Sequence, residues 1–82
     1  MEKSFENFKN YILINAKEKD ACSSQIKEAE TTINFTQLLG VIKNNANWCY
    51  VNKLVKRNYN PNKYIHCKEI KDDIYLFIIG KL

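Results

Sequence analysis

The chain has 82 residues and a mass of 9.7 kDa, enough for one domain with one modest core and too little for a second. Hydrophobic residues at 45% against 27% charged, with two glycines and one proline, exclude a disordered or collagen-like chain. The net charge of +4 is unevenly spread: residues 1–30 hold five lysines against six acids, while 43–68 hold Lys43, Lys53, Lys56, Arg57, Lys63 and Lys68 with no acid at all.

The first element is an amphipathic helix over about 4–18. Ser4 is its expected N-cap, and Phe5, Phe8, Ile12 and Ala16 recur at three and four residues, with Tyr11 beside them. Glu6, Lys9, Asn10 and Lys17 fall on the opposite, wet face. A second, short helix over about 20–30 has Asp20 or Ser23 as its cap and Cys22, Ile26 and Ala29 on one face.

The strongest local signal lies at Ile33 to Leu38. Asn34 as N-cap and Gln37 three residues later make a capping box, and Ile33 with Leu38 make a hydrophobic staple. Leu38, Leu39, Ile42, Ala46, Cys49 and Tyr50 then continue at helical spacing, predicting a third helix over about 34–52. Gly40 weakens it by about 1 kcal/mol relative to alanine and leaves room for a neighbouring helix. Asn58 to Asn62, with Pro61 inside, reads as a turn.

After that turn the composition shifts to β-branched and aromatic residues. Two strands are expected, about 64–70 and 74–79, joined at Lys71, Asp72 and Asp73 as a hairpin. The predicted fold class is therefore α+β, one domain over 1–82 with three helices packed on a C-terminal hairpin. An apolar second strand also offers an edge through which a homodimer could pair.

Cys22, Cys49 and Cys67 are odd in number and carry no Cys-x-x-Cys, and Met1 leads straight into a charged stretch rather than a signal peptide. The expected compartment is the reducing cytoplasm. The run from Ile74 to Ile79 is far short of the roughly 20 residues that cross a bilayer.

Three constellations bear on chemistry. Cys22, Cys49, His66 and Cys67 are zinc-ligand types, but no pair stands two to four residues apart and adjacent His66 and Cys67 point apart on a strand, so no metal or other cofactor is expected. A cysteine nucleophile with His66 as base has little chain around it to wall a substrate pocket, so no enzyme is expected and no residue is read as catalytic. Paired Asp72 and Asp73 read as turn residues. Apart from that carboxylate pair, the third constellation is the basic stretch itself, interleaved with Trp48, Tyr50, Tyr59, Tyr64 and His66. Clustered ammonium groups displace phosphate counterions and flat rings stack on unpaired bases.

A bland reading stands beside it. Twelve lysines, eleven asparagines and ten isoleucines are residues with A/T-rich codons, and twelve lysines to one arginine is not the ratio of a close phosphate reader. Trp48 lies roughly 100° around the helix from Cys49, at the core edge or exposed as an interface anchor.

Ala16-Lys17-Glu18, Ala21-Cys22, Leu38-Leu39 and Asn45-x-x-Trp48-Cys49 together resemble a small helical module of Bacteroidota proteins and their mobile elements, over about half the chain. The resemblance implies a helical hairpin and no particular chemistry. In size, lysine-rich make-up and lack of catalytic motif the chain is also similar to small phage-encoded inhibitors, including anti-CRISPR proteins. That likeness implies docking on a CRISPR effector and interference with guide-RNA or target binding.

The sequence thus reads as a non-catalytic binding protein. Lys43, Lys53, Lys56, Arg57 and Lys63 are its expected cations and Trp48, Tyr50 and Tyr59 its expected anchors, facing a larger protein or ribonucleoprotein. Direct RNA or DNA binding and a dimerising interaction subunit are the alternatives.

Overall fold

The computed structural model describes residues 3–56, 59–64, 66–67 and 71–81. Within them the chain is all helical: α1 Lys3–Glu18, α2 Ser23–Glu30, α3 Phe35–Asn44, α4 Ala46–Val51, α5 Pro61–Tyr64 and α6 Asp72–Ile78. No strand occurs among the described residues, so the α+β class and its hairpin are corrected to an α fold.

α1 follows its periodicity. Phe8, Ile12 and Ala16 are buried, and Phe5 packs against the core edge. Ser4, however, is not a cap. It lies one residue inside the helix, buried, and its hydroxyl donates to Asp72 at the start of α6. Lys9 leaves the wet face: its ammonium donates to the carbonyls of Glu30 and Thr32, both at 2.7 Å, and so caps the C-terminus of α2.

Three helices end in the same device. After α1, α4 and α6 a residue with positive φ reverses the chain: Asp20 at 59°, Lys53 at 63° and Gly80 at 80°. In each case a six-to-one backbone bond closes the end, Ala21 to Ala16, Leu54 to Cys49 and Lys81 to Leu76.

Of the expected capping box at Asn34, the cap itself forms. The Gln37 amide donates to Asn34 Oδ1 at 2.9 Å, while Gln37 Oε1 accepts from the Ile33 amide, one residue before the cap rather than from the cap itself. The staple does not form, since Ile33 is 77% exposed. Nor does Gly40 admit a helix, because a Cβ there would meet nothing within 4 Å.

The expected single helix over 34–52 is two. Asn45 Nδ2 donates to the Val41 carbonyl at 2.8 Å, the acceptor that Asn45's own amide would use in a continuous helix. That amide goes instead to Ile42 at 3.1 Å, and α4 starts afresh at Ala46.

The segment expected as a second strand is α6. Asp72 and Asp73 fall in its first turn, where carboxylates favour the helix dipole, and Gly80 closes its last. An apolar run of this length does not distinguish strand from helix by itself. The residues expected as the first strand divide: Tyr64 ends α5, and 65 and 68–70 lie outside the described residues. A homodimer paired through a C-terminal strand loses the strand it required.

One cluster of buried side chains joins the helices. The Phe8 ring centre lies 5.9 Å from those of both Phe35 and Tyr75, and Leu38, Leu39, Ile42, Leu54 and Ile78 are buried in the same cluster. No helix among the described residues is long and apolar enough to cross a membrane.

Candidate functional site

The basic stretch divides on folding. Lys43, exposed near the end of α3, donates to Asn62 Oδ1 at 3.0 Å, which draws α3 to α5. Beside it Lys63 is exposed, with its ammonium 5.7 Å from the centre of the Tyr64 ring. Asn60 supplies the turn that α5 starts from, accepting from the Asn62 and Lys63 amides. Lys43, Asn62, Lys63 and Tyr64 therefore form one cationic, amide-rich and aromatic surface.

Lys56 is drawn elsewhere. Its ammonium stands 4.1 Å from the Phe77 ring of α6, and it is half-buried. Lys53 is exposed on the left-handed turn after α4. Arg57 and Lys68 lie outside the described residues. The ion pair Lys17 to Glu30, at 3.9 Å, is the only ammonium–carboxylate contact among the described residues, so Lys43, Lys53 and Lys63 face solvent without a carboxylate at their tips.

The expected anchors fare differently. Tyr59 is a core residue: it is 9% exposed, its hydroxyl is buried without a hydrogen-bond partner among the described residues, and burial, with a smaller push from Cys49, raises its pKa to about 12. It has no free face for a partner. Tyr50 is half-buried against the core.

Trp48 is half-buried too, and it borders a cleft that the sequence did not reveal. The cleft has a volume of about 190 Å³. Ile12 and Ala16 of α1, Ile26 and Ala29 of α2, and Val41 and Ile42 of α3 line it, with Trp48 and Cys49 from α4. The hollow exists because Ala16, Ala21 and Ala29 stand where α1 and α2 face each other, and small side chains leave unfilled space between packed helices. Alanines at core spacing were its only signal in the sequence.

The three thiols differ. Cys49 is buried on the cleft wall, and desolvation pushes it up to about 11. Cys22, expected on a core face, is exposed just before α2. Its Sγ lies 3.1 Å from Ser24 Oγ, and that hydroxyl and the amides of Ser24 and Gln25 lower its pKa. Cys67 is half-buried and His66 exposed. No three potential ligands among His, Cys, Asp and Glu gather around a metal position among the described residues.

No protein-family model matches the chain, and no curated protein or solved structure matches it either.

Proposed function

We propose that this is a non-catalytic binding protein of inhibitor type, which docks a lysine-bearing face on an acidic protein surface or a ribonucleoprotein and obstructs nucleic-acid binding there. The observation that carries the reading is the absence of carboxylates at Lys43, Lys53 and Lys63 among the described residues, although six acids stand within residues 1–30. Unneutralised cations speed encounter with an anionic partner, and half-buried rings beside them hold the complex once formed. The CRISPR effector implied by the likeness to small phage inhibitors has both properties such a face needs, exposed nucleic acid and a large surface.

The test is capture of the tagged chain's partner from the native host, with mass spectrometry for protein and sequencing of any bound nucleic acid. Reversal of Lys43, Lys53 and Lys63 to glutamate is expected to abolish capture while leaving helical content unchanged. Capture that survives the triple reversal removes the proposal.

Direct RNA or DNA binding is the second reading. It is favoured by exposed Lys63 beside the half-buried Tyr64 ring, since a cation next to an aromatic side chain suits an unstacked base. It predicts gel-shift affinity that falls steeply with salt in the absence of protein partner.

A further inference from the structure

We infer that the cleft between α1, α2, α3 and α4 is a binding site for a small neutral ring compound with one hydrogen-bonding group, of the indole or phenol kind. Its volume, about 190 Å³, is room for one ring, since an enclosed apolar cavity of roughly 150 Å³ takes up benzene. No Lys, Arg, Asp or Glu lines it, so a charged ligand entering it would lose hydration with nothing to replace it. Most of the wall is aliphatic, and the Trp48 indole adds an aromatic surface against which a second ring can lie.

One patch of the wall is polar, and its chemistry is defined. The Val41 carbonyl accepts from Asn45 Nδ2, which fixes the orientation of the Asn45 amide. The same Nδ2 donates to Gln25 Oε1 at 2.9 Å, which fixes Gln25 in turn. Asn45 Oδ1 and Gln25 Nε2 are left without a hydrogen bond among the described residues, one acceptor and one donor on residues that both line the cleft. A ring N–H or O–H satisfies the acceptor, and a phenolic oxygen satisfies the donor as well. Both residues are part-buried, so these atoms meet water in the free chain, and a purely hydrocarbon ring that covered them would displace that water with nothing in its place.

The test of this site does not depend on the partner of the basic face. The probe is 5-fluoroindole, added to the full chain and followed by its fluorine resonance and by the protein's amide resonances. The expected result is saturable binding with a dissociation constant on the order of 0.1–1 mM, the range open to a ligand of this size. The amide shifts should concentrate in residues 12–29 and 41–54.

Ala29→Leu fills the hollow and should weaken binding by tenfold or more, and indole-3-acetate, which carries a charge, should bind at least tenfold more weakly than 5-fluoroindole. If Ala29→Leu does not fold, the shift map of the unaltered chain decides. No saturation at the solubility limit of the probe overturns the inference. So do shifts centred away from the cleft, or undiminished binding by a folded Ala29→Leu variant.

Discussion

The side-chain amide of Asn45 donates to Gln25 Oε1 at 2.9 Å and thereby ties the break between α3 and α4 to the first turn of α2. Asn45 makes two such bonds and Gln25 one, since the Val41 carbonyl also accepts from Asn45. Asn45→Ala is accordingly expected to cost about 1–2 kcal/mol and Gln25→Ala less than about 1 kcal/mol. In a double-mutant cycle by urea denaturation the two should couple by about 0.5–1 kcal/mol, with additivity indicating that the contact contributes nothing.

Tyr59 and Cys49 make the fold sensitive to alkali. In the folded chain the phenol is raised from 10.0 to about 12 and the thiol from 9.0 to about 11 by burial. Each group keeps its proton longer when folded, so its contribution is fully present below the unfolded value and is lost as pH rises through the folded one. Stability should therefore fall from about pH 9 upward, by about 2–3 kcal/mol for each group once both have ionised. Tyr59→Phe should flatten the part of the slope between pH 10 and 12. It should also raise stability at pH 7 by about 1 kcal/mol, because the buried hydroxyl has no partner among the described residues. Cys49→Ala should flatten the part between pH 9 and 11. Denaturation midpoints at a series of pH values decide both.

The buried stripe Phe8, Ile12 and Ala16 follows from its spacing, and the Asn34 side chain caps α3 as its type predicts. The Ser4 cap and the Gln37 bond to the Asn34 amide do not form, because both side chains find other partners in the folded chain. The run from Ile74 to Ile79 reads as strand by residue type, yet Asp72 and Asp73 at one end and Gly80 at the other are helix-end chemistry, read instead as a turn and passed over. The break at Asn45 leaves no trace in the spacing, because the apolar stripe continues on both sides while the Asn45 amide shifts to the Ile42 carbonyl. For the site, composition located the cations but not which of them share a face, since Lys43 meets α5 and Lys56 meets α6 only after folding. The cleft is a property of facing alanines on separate helices, and Tyr59 looked available only because burial of a loop residue leaves no periodic trace.

Lys53 occupies a position that favours glycine. Its φ of 63° closes α4, and a side chain with a Cβ pays about 1 kcal/mol there. Lys53→Gly is expected to stabilise the fold by about 0.5–1 kcal/mol, less than the full strain because glycine also frees the unfolded chain. The same change removes a cation. A variant that melts higher yet captures less partner would separate charge from folding, whereas a lower melting temperature would contradict the left-handed turn.

Gly80 offers the sharpest check on α6. It has φ of 80°, its amide donates to the Phe77 carbonyl, and the next amide donates to Leu76, so the helix end depends on a conformation that other residues enter at a cost. A Cβ at this position would lie no closer than 4.0 Å to Lys56 Cβ, an ordinary contact, so the penalty of Gly80→Ala is backbone strain and not a clash. The expected loss is about 1 kcal/mol. Gly80→Asn, which tolerates the left-handed region, should lose less than Gly80→Ala. Equal losses for alanine and asparagine, or none for either, would mean that residues 72–81 do not form the capped helix, and carbon chemical shifts over Ile74 to Ile78 would then show extended rather than helical values.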